Sequence, residues 1–139
     1  MTFTINTKGH SDVIDITDQV QQELKRSQIQ HGAVLIFVKG TTAAVTIIEA
    51  DPNLYDDLKE FFEQIAPINK DYKHHITWHD DNGGAHIRAV LIGPSLTVPF
   101  QNGKLELGQW QRIVLIDFDT KPRQREIVVK FLKQGDGQS

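Results

Sequence analysis

Residues 33–48 read Ala33-Val34-Leu35-Ile36-Phe37-Val38-Lys39-Gly40-Thr41-Thr42-Ala43-Ala44-Val45-Thr46-Ile47-Ile48. Two apolar runs rich in β-branched side chains lie on either side of the short segment 39–42. Each run is short enough to be a strand in the core of a sheet rather than a helix. The stretch therefore predicts two core strands, at 33–38 and 43–48, separated by a tight turn.

Before this pair of strands, the sequence predicts two more strands and one helix. Residues 2–6 alternate polar and apolar side chains, which is typical of a half-buried strand, and residues 13–16 are a second candidate. The spacing of apolar residues then changes to that of a helix over about 18–30. We expect Thr17 to cap this helix and Gly32 to end it.

After the pair, a second helix and a long polar segment are predicted. Asp51-Pro52-Asn53 is a typical helix start, and Pro67 ends the helix. Its apolar residues share one face: Leu54, Leu58, Phe61, Phe62 and Ile65. Residues 68–84 show no clear periodicity, which indicates a long loop. The apolar residues at 86–91 fit a helix and a strand equally well.

The last third of the chain is dominated by strands. Residues 95–105 predict a hairpin around an Asn-Gly turn, and further strands are expected at 112–118 and 126–132. Helices do not alternate regularly with strands, so the order favours a single α+β domain with a largely antiparallel sheet or sandwich and two main helices. We expect this domain to span 1–134, followed by a flexible tail at 135–139.

Composition excludes several classes of function. The chain has 139 residues, a formal net charge of −3 and no cysteine. Without cysteine it has no disulfides, thiolate metal sites or cysteine nucleophile, and this is typical of a reducing cytoplasm. It has no long run of Lys or Arg, no apolar stretch of membrane-spanning length and no leader pattern. We therefore expect a cytoplasmic protein that binds neither nucleic acid nor membrane.

Histidines are concentrated in the long polar segment. Four of the six lie within it or just after it, namely His74, His75, His79 and His86, and Asp80, Asp81 and Asn82 lie among them. Imidazole and carboxylate groups bind Zn²⁺, Mn²⁺ or Mg²⁺ and transfer protons near neutral pH. We predict a functional loop. The alternative is a solvated polar loop, since the spacing matches no standard zinc motif.

Two further carboxylates are candidates for chemistry. Glu49 follows the strand at 43–48, where a rigid support often carries a catalytic side chain, although a solvated strand end has the same pattern. Asp57 lies at the edge of the apolar face of the second helix. A carboxylate that leans inward needs a partner, and a metal ion or a cation such as Arg88 would serve.

Three other motifs can bind a ligand. Gly40-Thr41-Thr42 lets a ligand approach the backbone beside two hydroxyls, or is a plain tight turn. Arg123 and Arg125 can grip a phosphate bidentately, or form a solvated strand end. Trp110 lies between two glutamines, so it can stack on a planar ring whose edge the amides bind, or pack in the core.

An ordered series of short motifs extends from about Gly32 to Val129. They are Gly40-Thr41-Thr42-Ala43-Ala44, Glu49 near Asp51-Pro52, Asp57-Leu58, Tyr72-Lys73-His74, Trp78-His79-Asp80, Asn82-Gly83, Ala85-His86, residues 91–99, Gly108-Gln109-Trp110-Gln111, and Arg123 with Arg125. In this order they resemble the YjbQ-like family, also described as secondary thiamine-phosphate synthase. Many members have a histidine in place of Gly40, and many have one in place of Gly84. The resemblance then leaves His74, His79, His86 and the nearby acids as the expected metal ligands.

The resemblance implies an α+β homotrimer with its pocket near a subunit interface. It also implies a reaction that joins a pyrimidine carried on a pyrophosphate to a thiazole phosphate, giving thiamine phosphate and releasing pyrophosphate. The expected partner is thus a small phosphorylated metabolite. The expected cofactor is a divalent metal, Mg or Zn, and no organic cofactor is evident.

Roles follow for the candidate residues. We predict that Glu49, His86 and Asp57 are catalytic. The predicted substrate-binding residues are Thr41, Thr42, Asn82, Trp110, Arg123 and Arg125, and the predicted metal ligands are His74, His79, His86 and Asp80. We also expect the three histidines of the metal set to converge on one pocket, with His10 and His31 outside it.

Two other classes of function stay open on the sequence alone. One is a protein that binds a metal or a small anion, without turnover and with an unknown physiological role. The other is a hydrolase acting on a phosphorylated metabolite.

Overall fold

The two core strands lie in different sheets of the folded chain. A computed structural model describes residues 1–135, which form eight strands and four helices. The strands are β1 (Thr2–Thr7), β2 (Asp12–Asp15), β3 (Gly32–Val38), β4 (Ala43–Ile48), β5 (Ser95–Gln101), β6 (Lys104–Leu105), β7 (Arg112–Asp117) and β8 (Arg123–Lys133). The helices are α1 (Thr17–Ser27), α2 (Pro52–Ile65), α3 (Lys73–Trp78) and α4 (Gly83–Ile92).

Both sheets are antiparallel throughout. The first has five strands in the order β1-β8-β3-β5-β6, and the second has three in the order β2-β7-β4. Each pair of neighbouring strands runs in opposite directions. The predicted α+β fold with a largely antiparallel sandwich is confirmed. The helix count differs, since α4 spans ten residues and joins α1 and α2 as a third substantial helix.

The three-stranded sheet is buried on both faces. Alternate residues such as Val45 and Leu115 pack against the five-stranded sheet and α1. The residues between them, such as Ala44 and Val114, pack against Phe62 of α2 and against α4. A strand covered on both faces favours apolar side chains on both of its sides. This explains why all residues at 43–48 except Thr46 are apolar.

The first helix differs from its prediction at both ends. It stops at Ser27, because Gln28 adopts a left-handed conformation with φ 61°. Thr17 does not cap it. Its hydroxyl instead accepts a hydrogen bond from the Ile113 amide at 2.8 Å, which ties the helix to β7. The start of the second helix is confirmed, since the Asp51 side chain accepts a hydrogen bond from the Asn53 amide at 3.0 Å.

The long polar segment is partly helical. The short helix α3 lies within it, and α4 begins at its end, so the apolar residues at 86–91 are helical. Most of the tail predicted at 135–139 lies outside the described residues. Within residues 1–135, no helix combines the length and the apolar character needed to cross a bilayer.

Candidate functional site

A network of buried charged groups lies at the end of the three-stranded sheet where β4 begins. We call this the Thr42 end. Asp117, the last residue of β7, is fully buried, and Arg125 of β8 is 7% exposed. The guanidinium grips the carboxylate with two hydrogen bonds, Nε to Oδ2 at 2.7 Å and Nη2 to Oδ1 at 2.8 Å. Nη2 also donates to the hydroxyl of buried Thr42 at 2.6 Å.

Asp119 connects this pair to the turn between β7 and β8. Its Oδ2 accepts hydrogen bonds from the Thr42 hydroxyl at 2.9 Å and from Arg123 Nε at 3.1 Å. Burial alone would raise the pKa of Asp119. Hydrogen bonds from the Thr120 amide and Thr42, together with the charge of Arg123, outweigh burial and lower the pKa below the ordinary value of 3.8. Asp119 is therefore charged at neutral pH.

Asn82 extends the network to the start of α4. In one orientation its amide nitrogen donates to Asp119 Oδ1 at 3.4 Å, and in the opposite orientation it donates to both oxygens of Asp80, at 3.0 and 3.1 Å. This side chain is buried and precedes the first residue of α4. The helix that carries His86 is thus placed beside the Asp119 carboxylate.

Two histidines of the predicted metal set meet in front of this network. The ring centroids of His74, on α3, and His86, on α4, are 4.4 Å apart. Burial and the neighbouring His74 lower the pKa of His86 below 6.5, although Asp80, Asp119 and a backbone hydrogen bond with Thr41 act in the opposite direction. The His86 imidazole is therefore neutral at pH 7, with a lone pair for a metal ion or a proton.

The structure does not bring His79 to this pair. It ends α3 in a left-handed conformation with φ 54°, and its side chain is exposed. Within residues 1–135 no hydrogen bond or ring contact joins it to His74 or His86. His75 instead holds the two helices together, because its Nε2 accepts a hydrogen bond from the Gly83 amide at 2.9 Å. The predicted convergence thus holds for His74 and His86 only.

A metal ion fits this set of donors in part. His74 Nε2 and Asp80 Oδ1 are 3.5 Å apart. Two ligands of a tetrahedral ion with bonds of about 2.1 Å lie about 3.4 Å apart, so the separation suits a shared ion. In the described part of the chain, however, no three His, Asp or Glu side chains are already arranged to hold a metal. The single chain supplies donors but no complete cage.

Two clefts open on either side of His86. One, of about 310 Å³, is lined by Gly40, Thr41, Ala43, His86, Ala89, Val90 and Pro94. The other, of about 570 Å³, is lined by Lys70, Asp71, Tyr72, Lys73, His74, Gly83, His86 and Ile87. Both clefts are mainly apolar, and the second also contains Lys70, Asp71 and Lys73. His86 is the residue that both clefts share.

Other predicted site residues lie at the opposite end of the three-stranded sheet, which we call the Glu49 end. Glu49 follows β4 whereas Thr42 precedes it, and seven residue steps in a strand separate them by roughly 23 Å. Glu49 is exposed, and so is Trp110, which lies just before β7. Within one chain, Glu49 therefore lies far from His86. Trp110 is not a core residue.

Two expected partners also differ from the prediction. Asp57 is exposed, and the carboxylate that pairs with buried Arg88 is Glu63, at 2.6 Å from Nη2. The same guanidinium donates to the Ala66 carbonyl and to the Ser11 hydroxyl. Asp57 therefore does not need the cation that its helix position had indicated.

Both arginines of the predicted substrate-binding set pair with aspartates. The bidentate edge of Arg125 is occupied by Asp117, so it is not free to grip a phosphate. Arg123 is partly exposed and bonded to Asp119. Sequence reasoning missed both aspartates, although each ends or follows an apolar strand, the same signal that pointed to Glu49. His10 and His31 line neither of the clefts at His86, as expected.

Comparison with known proteins places the chain in a family. The model of the family described as UPF0047 protein YjbQ-like matches residues 1–134. The chain belongs to the YjbQ-like family. A UPF0047 protein of Archaeoglobus fulgidus is 42% identical over 132 residues, which cover 95% of this chain and 100% of the relative. The UPF0047 protein YugU of Bacillus subtilis is 36% identical over 94% of this chain and 97% of its own length.

Solved structures in this family share the fold. A hypothetical protein from Aeropyrum pernix K1 superposes with a TM-score of 0.89 at 33% identity, covering 96% of this chain and 98% of that one. A YjbQ-like protein from Sulfolobus solfataricus, described as of unknown function, gives a TM-score of 0.87 at 32% identity, over 96% and 97%. The relatives establish the family and the architecture, and their names assign no activity.

Proposed function

We propose that this YjbQ-like chain is a transferase of the thiamine-phosphate synthase type. It would join a pyrimidine carried on a pyrophosphate to a thiazole phosphate. The observation that carries the proposal is the position of His86, which lines two separate clefts. A reaction between two substrates needs two binding regions that meet at the reacting atoms. The family resemblance supplies the substrates.

The reaction forms one bond and breaks another. The thiazole nitrogen attacks the methylene carbon of the pyrimidine, and the bond from that carbon to the pyrophosphate oxygen breaks. The leaving pyrophosphate takes the electron pair, and the new thiazolium nitrogen carries the positive charge. No oxidant or additional reactant is required. Catalysis must therefore orient the two rings and stabilise negative charge on the leaving group.

The second cleft suits the phosphate groups. Lys70 and Lys73 line it, and their ammonium groups can bind phosphate oxygens. A divalent ion bound by His74 and Asp80, with further ligands from a second copy of the chain, would neutralise further charge on the leaving pyrophosphate. Asp119 accepts a hydrogen bond from the Thr42 hydroxyl, which holds the chain next to Thr41 and Ala43 at the edge of the first cleft.

We also propose that the chain acts as a homotrimer. Glu49, Trp110 and the metal set cannot meet within one chain, because the strand between them is roughly 23 Å long. A second copy that applies its Glu49 end to the Thr42 end of the first would join the two groups of predicted residues. It could also complete the metal cage. Light scattering that gives a mass near one 15.8 kDa chain would contradict this proposal.

A second candidate is cation binding without turnover. Asp80 and Asp81 add two negative charges beside a network in which Asp117 and Asp119 are already balanced by Arg125 and Arg123. The excess of carboxylates, together with a neutral His86, favours a cation at this end of the sheet. Zn²⁺ or Mg²⁺ titration of untagged protein measures this affinity independently of any reaction.

The deciding experiment measures product formation by purified, untagged protein. Wild type is incubated with the pyrimidine pyrophosphate, the thiazole phosphate and Mg²⁺, and thiamine phosphate and pyrophosphate are quantified. We expect His86→Gln to lower turnover by about 10²-fold or more, because acid–base and ligand roles contribute at least this order. His10→Asn is the matched control, since His10 is exposed and its left-handed backbone suits asparagine.

Three outcomes separate the candidates. Thiamine phosphate from wild type and not from His86→Gln supports the transferase. Metal binding that depends on His86, with no product at stoichiometric protein, leaves the cation-binding alternative. Release of phosphate from one substrate incubated alone identifies a hydrolase.

A further inference from the structure

One donor of the buried Arg125 guanidinium has no partner. Nε and Nη2 make three hydrogen bonds, to Asp117 and Thr42, but Nη1 makes none within the described residues. No fully buried side-chain nitrogen or oxygen in that part of the chain lacks a partner, so Nη1 reaches solvent. Nη1 is therefore the solvent-accessible nitrogen of a side chain that is about nine-tenths buried.

Nη1 is accessible because residue 40 is a glycine. A Cβ atom added to Gly40 would stand 2.6 Å from Arg125 Nη1, well inside contact distance. The guanidinium could not easily move away, because Asp117 holds its other edge. Gly40 also lines the apolar cleft beside His86. The missing side chain therefore leaves space beside a fixed N–H donor, at a residue that also lines the cleft.

The charge balance indicates what this donor recognises. Asp117 already pairs with Arg125 at 2.7 Å, and Asp119 lies 3.8 Å from the same guanidinium. Arg125 and Arg123 balance the two aspartates, so this position has no excess positive charge to attract a phosphate dianion, whereas an uncharged acceptor needs only the directed N–H donor. The walls formed by Ala43, Ala89 and Pro94 are apolar. An apolar ring with one acceptor atom matches both features.

We propose that Gly40 and Arg125 form a subsite for an uncharged heteroaromatic ring, in which Nη1 donates a hydrogen bond to one ring acceptor. The identity of that ring as the pyrimidine rests on the function proposed above. The subsite also fixes an orientation. The ring enters the Gly40 cleft, its pyrophosphate points towards Lys70 and Lys73, and the bond to be broken lies near His86.

The test compares two glycines with similar backbones. Gly40 has φ +115° and faces Nη1, whereas Gly93 has φ +102° and nothing within 4 Å of an added Cβ. Alanine at either position introduces the same kind of backbone strain. Only Gly40→Ala obstructs the donor. The probes are the pyrimidine alcohol, which is the first substrate without its pyrophosphate, and inorganic pyrophosphate, both measured by calorimetry.

We expect Gly40→Ala to weaken binding of the pyrimidine alcohol by about 10-fold or more, and Gly93→Ala to leave it unchanged. Binding of pyrophosphate is expected to be equal in both variants. A second measurement uses unaltered protein and does not depend on how the variants fold. In it, the pyrimidine alcohol shifts the Arg125 guanidinium NMR signals and pyrophosphate does not.

Several results would overturn the subsite. The subsite is overturned if Gly40→Ala and Gly93→Ala lose the same affinity for the pyrimidine alcohol. It is also overturned if pyrophosphate alone shifts the Arg125 NMR signals, or if the alcohol does not bind to wild type. The proposed reaction can fail separately. If no thiamine phosphate forms but the alcohol binds in a Gly40-dependent way, the subsite stands and the transferase does not.

Discussion

The two ends of the three-stranded sheet place similar residues in very different surroundings. At the Thr42 end, Arg125 and Asp117 pair in the interior, with side chains 9% and 0% exposed. At the Glu49 end, Arg112 pairs with Asp15 at 2.7 Å, but both side chains are about one-third exposed. A buried pair must be held by matched hydrogen bonds, whereas an exposed pair is screened by water. The first end is a preorganised site and the second is a solvated surface.

The two ends of the sheet are expected to differ most in the unfolding free energy that is lost when their arginines are replaced by alanine. Arg125→Ala leaves fully buried Asp117 without its cation, which costs about 3–5 kcal/mol of unfolding free energy. Arg112→Ala removes a partner whose side chain is about one-third exposed and costs about 0–1 kcal/mol. Urea unfolding of both variants measures the two losses. Similar losses would mean that the two ends are energetically alike.

A smaller difference in unfolding free energy is expected between variants at two threonines. One threonine lies just before β4 and the other lies within it. The Thr42 hydroxyl donates to Asp119 and accepts from Arg125, so Thr42→Val should cost about 1–3 kcal/mol. Thr46, within the strand, is the matched control, and Thr46→Val should stay within about 0.5 kcal/mol. If Thr42→Val leaves the unfolding free energy unchanged, water has replaced the lost hydroxyl.

The pH dependence of stability tests the environment of His86. Its pKa in the folded protein is lowered below 6.5 by burial and by His74, so the unfolded chain binds a proton more readily. This contribution is fully present above pH 6.5 and is lost as the pH falls towards the folded pKa. Melting temperatures between pH 7.5 and about 5 should therefore fall more steeply for wild type than for His86→Gln. Parallel curves would contradict a depressed pKa.

The smallest change in unfolding free energy is expected at Glu49. As an exposed residue after β4, it should tolerate Glu49→Gln within about 0.5 kcal/mol, measured by urea unfolding. The same variant tests the proposed trimer. If a neighbouring copy delivers Glu49 to the site, turnover falls by about 10²-fold or more while stability is unchanged. Unchanged turnover would remove Glu49 from the site.

The sequence predicted the strands well because their burial leaves a direct signal. Five of the six residues at 43–48 are apolar, all but Thr46, since both faces of β4 are covered. The helix α3 gave no such signal, because it is only six residues long and exposes Ile76 and Trp78. For α4, apolar residues occur both on its buried side and at exposed Val90, so periodicity could not separate a helix from a strand.

The candidate site was predicted in part. The pairing of His74 with His86 followed from their clustering and the family resemblance. The Asp119 network did not, because its contact with Thr42 joins residues 77 positions apart and depends on how the two sheets stack. The separation of Glu49 from the site was within reach of the sequence. Thr42 precedes and Glu49 follows one strand, so the two necessarily lie at opposite ends.

The place of β8 in the five-stranded sheet has a consequence for the order in which the chain is made. This strand follows the other elements in sequence, yet it lies between β1 and β3, which are synthesised early. Until β8 is available, both of those strands present unpaired edges that can attract other chains. Arg123 and Arg125 arrive with the same strand. An incomplete chain therefore lacks the strand that joins β1 to β3 and the two arginines that pair with Asp117 and Asp119, so we expect a chain truncated before residue 123 to be prone to aggregation.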